Sequence, residues 1–137
     1  MRKKLKSILL IDDNKADNHY HQIIIKGMDI TERIDIALDG VEALNMLKDK
    51  NAIPPDLIFL DINMPKINGW EFLEAYHQLS TTQKAKIVII MLTTSDNPKD
   101  LKRAEQIDEV TGFNVKPLTE ELLTKILEKY FAANDIV

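Results

Sequence analysis

Five short apolar segments recur along the chain, and each is followed by a stretch with helical periodicity. In the third segment, Leu57–Leu60, no polar residue alternates with the apolar ones, which is typical of a strand buried on both faces. Strands of this kind that alternate with helices predict an α/β fold, a doubly wound parallel sheet with right-handed crossovers and helices on both faces. The expected strands are Ile8–Ile11, Ile34–Ala37, Leu57–Leu60, Ile87–Leu92 and Phe113–Val115.

Capping residues place the starts of the helices. Asp39 and Asn68 each have a glutamate three residues later, a pattern in which side chain and backbone cap each other. Asn97 precedes Pro98, which fits the first helical position because no hydrogen bond is lost there. The first helix is expected to begin near Asn14 and the last near Glu120.

The inward faces of the helices are predicted from the spacing of their apolar residues. The residues assigned to these faces are Ala16, Tyr20, Ile23 and Ile24 on the first helix, Val41, Leu44 and Leu47 on the second, Phe72, Leu73, Tyr76 and Leu79 on the third, Leu101, Ala104 and Ile107 on the fourth, and Leu122, Leu123, Ile126, Leu127, Tyr130 and Phe131 on the fifth. Trp70 is expected to be partly buried beside Gly69. The histidines at 19, 21 and 77 lie on predicted helices without a third metal ligand, so we expect them at the surface.

Length and composition restrict the possible classes of protein. A chain of 137 residues is about one domain, with an expected core from about residue 6 to 131 and a frayed tail over 132–137. The absence of cysteine excludes disulfides, zinc-thiolate sites and thiol nucleophiles. A formal charge of -4 gives no broad attraction to nucleic acid or anionic lipid. Because no segment approaches the ~20 apolar residues that span a bilayer, we expect a soluble cytoplasmic protein with neither a nucleic acid nor a membrane as partner.

Polar residues follow the predicted strands, at the points where the strands end. Because parallel strands end at one edge of a sheet, these residues are expected to meet in the crevice where open α/β sheets bind ligands. They are Asp12, Asp13, Asp61, Asn63, Thr93, Thr94 and Lys116. Taken singly, each has a plain structural role: an acid suits a helix N-terminus, threonine a turn, and lysine the surface. Asp61 alone fits a helix cap equally well, although Asn68 and Glu71 already supply the cap of the following helix.

The combination of these residues indicates a metal-assisted phosphoryl transfer. Three carboxylates in one crevice repel each other unless a cation shares the site. Oxygen ligands without histidine or cysteine favour a hard ion such as Mg²⁺. Lys116 and Thr93 are then suited to hold phosphoryl oxygens while Asp61 attacks the phosphorus in line.

These motifs together resemble a response-regulator receiver domain of two-component signalling, similar to the stand-alone chemotaxis type. The resemblance covers essentially the whole chain, as a single receiver domain over 1–137. It rests on Asp12-Asp13, on Asp61 followed by Met64-Pro65 and Gly69, on Thr93-Thr94-Ser95, and on Lys116-Pro117 preceded by Phe113. It implies a flavodoxin-like sheet of five parallel strands in the order 2-1-3-4-5.

The resemblance also implies a role for each site residue. Asp61 would be the phosphoacceptor, phosphorylated by a histidine kinase and able to catalyse its own dephosphorylation. Asp13, Asp61 and the backbone carbonyl of Asn63 would ligate Mg²⁺, and Asp12 would act largely through water. Thr93 and Lys116 would contact the phosphoryl oxygens. The Lys116-Pro117 bond would be cis, a state found almost only before proline.

A conformational switch is expected from the same resemblance. In the family an aromatic residue three positions before the lysine moves into space that the threonine vacates, and here these residues are Phe113 and Thr93. Phe113 has no hydroxyl to leave unpaired, so the inward state should be accessible even without phosphate. We therefore expect a bias toward the active surface formed by the fourth helix, the fifth strand and the fifth helix.

Three alternatives use the same fold or site. A flavodoxin-like mononucleotide binder needs small residues and open N–H groups after the first strand, where Asp12, Asp13 and Asn14 would repel a phosphate. An aspartyl phosphatase needs a second carboxylate two residues after Asp61, where Asn63 stands. A receiver-like module that is never phosphorylated usually lacks a key residue, and none is lacking.

The expected partners are a histidine kinase and a downstream protein target or a phosphotransfer protein. The sequence does not separate a terminal switch from a phosphorelay intermediate that passes its phosphoryl group to a histidine. Because no output domain follows Val137, the response is expected to act by protein contact, with the protein as a monomer or a phosphorylation-dependent dimer.

Overall fold

The structure is a computed structural model that describes residues 4–79, 87–94 and 96–131. Five parallel strands form one sheet in the order β2-β1-β3-β4-β5, which confirms the expected α/β fold and strand order. The strands are β1 (Ile8–Ile11), β2 (Ile34–Ala37), β3 (Leu57–Leu60), β4 (Val88–Thr93) and β5 (Val110–Val115). The helices are α1 (Lys15–Met28), α2 (Gly40–Lys48), α3 (Gly69–His77), α4 (Pro98–Glu105) and α5 (Glu120–Tyr130). The predicted tail over 132–137 and Ser95 lie outside the described residues.

The first three strands have the predicted bounds, whereas β5 begins earlier than predicted. It starts at Val110, which pairs with Ile89 of β4. The register then shifts between Ile89 and Ile90, where the hydroxyl of Thr111 accepts a hydrogen bond from the Ile89 N–H at 3.3 Å. Because β5 is an edge strand with one face partly open to solvent, its first half carries no unbroken apolar run and gave no signal in the sequence.

Side chains on the two faces of the sheet form two separate cores. Along β1, Leu9 and Ile11 pack on one side with apolar residues of α2 and α3. Ile8 and Leu10 pack on the other side with residues of α1 and α5. This alternation follows from the two-residue period of a strand, and it confirms that helices cover both faces.

The helix starts are confirmed by their capping contacts. The side chain of Asn14 accepts the N–H of Asp17 at 3.0 Å, and α1 begins one residue after this cap. Asp39 caps α2 through the Glu42 N–H. Asn68 and its partner glutamate form the complete reciprocal capping box at α3. Asn97 caps α4 with proline at the start of the helix, and Thr119 caps α5.

The predicted inward face of α1 is wrong. Tyr20 and Ile23 are 44% and 55% exposed, Ala16 is exposed, and Ile24 is partly buried. The buried residues of this helix are Asn18, His21 and Ile25, so the surface position expected for His21 is also wrong. Polar residues occupy this face because its first half packs against the charged loop after β1, where the Asn18 amide donates to the Asp12 carbonyl at 2.8 Å.

Two further apolar residues assigned to the core are exposed: Val41 at 40% and Leu101 at 43%. At the start of α2 the small residue Gly40 makes the inward contact, because a Cβ there would lie 2.5 Å from the Ile67 side chain. In α4 the only buried residue is Ala104. The other residues predicted for the inward faces of α2 to α5 are buried or partly buried, including Leu79 and Ile107 just beyond α3 and α4.

Trp70 at the start of α3 is more deeply buried than predicted, with 6% of its surface exposed. The Arg103 guanidinium of α4 lies over its ring, 4.6 Å from the centroid. His19 and His77 are exposed, as predicted. Among the described residues, no helix has the length and apolar character needed to cross a bilayer.

Candidate functional site

The carboxyl ends of β1, β3, β4 and β5 bring the predicted polar residues together. Backbone hydrogen bonds continue beyond the strands and fix these positions: the Asp12 N–H donates to Ala37 at 3.1 Å, and the Asp61 N–H donates to Ile11 at 3.0 Å. The Lys116 N–H likewise donates to the Thr93 carbonyl at 2.7 Å. The backbone that carries the side chains of the site is therefore hydrogen-bonded to neighbouring strands of the sheet.

Three carboxylates form a compact group, called the acidic cluster below. It consists of Asp12, Asp13 and Asp61, whose ligand oxygens all lie within 4.8 Å of one another. Asp12 and Asp61 are 5% and 7% exposed, whereas Asp13 faces solvent. A set of carboxylate oxygens open on one side suits a hard divalent cation that keeps some of its water.

Lys116 supplies a positive charge next to the acidic cluster. Its ammonium lies 2.6 Å from Asp12 Oδ2 and 3.7 Å from Asp61 Oδ2. A third carboxylate, that of Asp17, lies 2.8 Å from the same nitrogen. Burial opposes the charged form of Lys116, but the hydrogen bonds to Asp12 and Asp17 and the charges of Asp61 and Asp12 outweigh it and raise the pKa of the ammonium. Lys116 therefore stays protonated.

The carboxyl group of Asp61 has a raised pKa. Burial is the main cause, and the nearby charge of Asp12 adds to it. The charge of Lys116, the Ile62 N–H at 2.9 Å and the Thr93 hydroxyl act in the opposite direction by stabilising the carboxylate. The site thus holds a partly desolvated carboxylate, which is a better nucleophile than one fully surrounded by water.

Thr93 and Phe113 lie on adjacent strands and on the same face of the sheet. Phe113 is paired with Met91, and Thr93 is two residues further along β4. Thr93 is fully buried, and its hydroxyl hydrogen-bonds Asp61. Phe113 is partly buried against the core on the α2 and α3 side. A movement of Thr93 toward the site would therefore change the space next to Phe113.

Gly69 and Pro117, two further residues of the sequence pattern, each mark a specific feature of the backbone. A Cβ at Gly69 would lie 2.5 Å from the carbonyl oxygen of Asp61, so α3 can approach the end of β3 only with glycine there. The Gly69 N–H donates to the Ile62 carbonyl at 2.7 Å. The Lys116-Pro117 peptide bond is cis, as the resemblance implied.

Residues 8–128 match the family described as response regulator receiver domain. The chain belongs to this family. It is 36% identical over 100 residues to response regulator Rcp1 of Synechocystis sp., a match that covers 70% of this chain and 67% of the relative.

Solved structures agree with this receiver-domain fold. A two-component response regulator from Cytophaga hutchinsonii has a TM-score of 0.86 at 35% identity, covering 93% of this chain and 98% of that one. The phosphorylated cyanobacterial phytochrome response regulator RcpA has a TM-score of 0.77 at 29% identity, covering 96% and 97%. The similarity therefore spans nearly all of this chain.

Two of the residues predicted for the site, Asn63 and Thr94, have side chains that are exposed to solvent. The side chain of Asn63 is exposed in the loop after β3, in keeping with a role assigned only to its backbone. Thr94 is exposed as well, whereas its neighbour Thr93 faces the site.

Sequence reasoning missed Asp17 and His21, which both lie on α1 beside Lys116. An acid in the first turn of a helix has an ordinary explanation in the helix dipole, so Asp17 gave no separate signal. It is 99 residues from Lys116 in the sequence. Burial lowers the pKa of His21, and the charge of Lys116 lowers it further, while the charges of Asp12 and Asp17 act in the opposite direction.

Proposed function

We propose that this receiver domain accepts a phosphoryl group on Asp61 from the phosphohistidine of a histidine kinase and then signals by contact with another protein. Receiver domains pair with histidine kinases, and this family membership supports the general role. The observation that carries the proposal is the position of Asp61: a buried carboxylate at the end of β3, within the acidic cluster and 3.7 Å from the Lys116 ammonium.

The proposed reaction is one displacement at phosphorus. A carboxylate oxygen of Asp61 attacks the phosphorus, an O–P bond forms, and the N–P bond of the phosphohistidine breaks. The bonding electron pair returns to the imidazole nitrogen. Because the other ring nitrogen of the reacting phosphohistidine carries a proton, the imidazole leaves directly as the neutral base and no further proton is needed. In the transition state, negative charge is spread over the phosphoryl oxygens. Lys116 and the Thr93 hydroxyl stabilise this charge by donating hydrogen bonds to these oxygens.

The donor set fits a divalent cation, which we propose to be Mg²⁺. Its ligands would be Asp13, Asp61 and the Asn63 backbone carbonyl, with Asp12 acting largely through water. Bound there, the ion supplies positive charge that offsets the carboxylates and the phosphoryl oxygens. Only oxygen atoms are offered by the acidic cluster, and such a set favours Mg²⁺ over zinc or copper.

Phosphorylation is proposed to act through Thr93 and Phe113 on the surface formed by α4, β5 and α5. A phosphoryl group adds about one to two negative charges next to the Thr93 hydroxyl, which would move toward it. Phe113, on the same sheet face, would follow into the vacated space. The downstream target, a cytoplasmic location and phosphorylation-dependent dimerisation stay predictions.

The test is intact-mass spectrometry after incubation with Mg²⁺ and a small phosphodonor. The parent should gain one phosphoryl group, stable in acid and labile in base, and Asp61→Asn should gain none. Glu42→Gln serves as the matched control, because Glu42 is exposed in the first turn of α2 and does not belong to the acidic cluster. If Asp61→Asn is labelled as fully as the parent, Asp61 is not the acceptor.

A further inference from the structure

Asp17 connects the start of α1 to the lysine that follows β5. Its backbone N–H is fixed by the Asn14 cap at 3.0 Å, and its carboxylate reaches the Lys116 ammonium at 2.8 Å. The receiver-domain pattern identified in the sequence does not include this residue. We propose that Asp17 is a positioning residue for phosphoryl transfer: together with Asp12 it holds the Lys116 ammonium at a distance from Asp61. The inference rests on the proposed function.

The hydrogen bonds of the ammonium support this role. An ammonium group has three N–H donors, and two of them are used by Asp12 at 2.6 Å and Asp17 at 2.8 Å. The nearest oxygen of Asp61 is 3.7 Å away, which is too far for a hydrogen bond. The third donor is therefore left for a phosphoryl oxygen on Asp61. Because Lys116 and Asp61 are not hydrogen-bonded to each other, a phosphoryl group on Asp61 would gain this donor without breaking a bond between them.

Removal of Asp17 would change the position of this ammonium. The Lys116 side chain is only 9% exposed, so water cannot fully replace a lost carboxylate partner. The remaining anions within reach are Asp12 and Asp61. We expect the ammonium to move onto Asp61, where it would pair with the nucleophile and occupy the space that the phosphoryl group needs.

The charge of Asp17 has the opposite effect on the reaction. The site already contains the three carboxylates of the acidic cluster, and a further negative charge repels an anionic phosphodonor. On charge alone, removal of Asp17 would speed phosphorylation. Because the positioning and charge effects differ in sign, two substitutions separate them: Asp17→Asn removes the charge and keeps an oxygen acceptor, whereas Asp17→Ala removes both.

The first measurement is the rate of labelling by a small phosphodonor in Mg²⁺. Asp17→Asn should react at the parent rate or faster. Asp17→Ala should react on the order of tenfold more slowly than Asp17→Asn, since a displacement of about 1 Å in a catalytic group can cost up to 100-fold. Glu42→Gln, which removes an acid from the first turn of another helix, should stay within about twofold of the parent. Equal rates for Asp17→Ala and Asp17→Asn would overturn the proposal.

The second measurement needs neither phosphodonor nor metal. In ¹H–¹⁵N NMR of the Lys116 ammonium, the parent and Asp17→Asn should give a similar signal protected from exchange, and Asp17→Ala should shift or lose it. An unchanged signal in Asp17→Ala would overturn the proposal whatever the rates. A parent that takes no phosphoryl label would instead refute the proposed function, and the ammonium spectrum alone would then decide whether Asp17 positions Lys116.

Discussion

The charges of individual residues at the site do not balance. Three carboxylates, those of Asp12, Asp17 and Asp61, lie within 4 Å of the Lys116 ammonium, and Asp13 adds a fourth to the site through the acidic cluster. Each residue has a local reason to be where it is, at the end of a strand or in the first turn of a helix, but together they leave excess negative charge. That excess destabilises the folded protein, and a divalent cation bound at the site would offset it.

Asp13→Ala tests this account of the charges. We expect the variant to lose most phosphoryl labelling in Mg²⁺, because one of the proposed metal ligands is gone. Without metal, the free energy of unfolding should rise by up to about 1 kcal/mol, since Asp13 is exposed and its repulsion is weakened by solvent. Labelling rates and thermal melts with and without Mg²⁺ measure both effects. A variant unchanged in labelling and in melting would show that Asp13 contributes neither a metal ligand nor repulsion.

At the scale of secondary-structure elements, the close packing of α3 against the end of β3 positions Asp61, the proposed phosphoacceptor. The helix begins at Gly69, where the backbone of Asp61 leaves no room for a side chain. The reciprocal cap between Asn68 and Glu71 fixes the same end of the helix. Any change that moves the start of α3 would therefore move Asp61.

Gly69→Ala is predicted to destabilise the protein by about 1–3 kcal/mol, a typical cost of overpacking. The added methyl group would lie 2.5 Å from the Asp61 carbonyl oxygen and 3.0 Å from the Ile62 Cα, both backbone atoms. Labelling of Asp61 should fall as well. Gly27→Ala is the matched control: its Cβ would meet nothing within 4 Å on α1, so it should be neutral or stabilising by up to about 1 kcal/mol. Urea unfolding measures both, and equal effects of the two substitutions would contradict this packing argument.

At the scale of the whole molecule, the parts predicted well from the sequence are those that a single local signal determines. Unbroken apolar runs gave the bounds of β1 and β3, the short apolar segment around Asp35 gave those of β2, and capping residues gave the helix starts. The predicted inward face of α1 was wrong because the buried residues there include Asn18, which hydrogen-bonds the charged loop, and His21, which lies near the charged residues of the site. The periodicity of apolar residues does not report such an environment.

The strand order and the contacts across the sheet depend on long-range packing. The order was expected only because the motifs resemble those of receiver domains, and the apolar runs alone are compatible with other orders. The contact between Asp17 and Lys116 joins residues from opposite ends of the chain. It becomes visible only once the fold has placed α1 beside the residue that follows β5.

The last prediction concerns how the whole domain changes state. The proposed switch requires Phe113 to move inward when Thr93 moves toward a phosphoryl group, and Phe113 is already partly buried. Since its ring has no hydroxyl to leave unpaired, we expect both positions of the ring to be populated in the free protein. In NMR spectra, the Phe113 ring and the amides of α4 should show exchange between two states. Addition of the phosphate mimic beryllofluoride should shift them toward one state.

Phe113→Tyr is the matched variant for this switch. Inward movement would bury a hydroxyl, and an unpaired hydroxyl costs about 1–3 kcal/mol, which lowers the inward population by between about fivefold and 140-fold. The free variant should therefore show less exchange than the parent, while still responding to beryllofluoride. A parent ring that is fully outward with no exchange in α4 would disprove the bias. If the NMR signals of residues 97 to 131 do not change on activation, the switch lies elsewhere in the domain. The proposed mechanism transmits the charge at Asp61 to α4, β5 and α5, so signals from these elements should change.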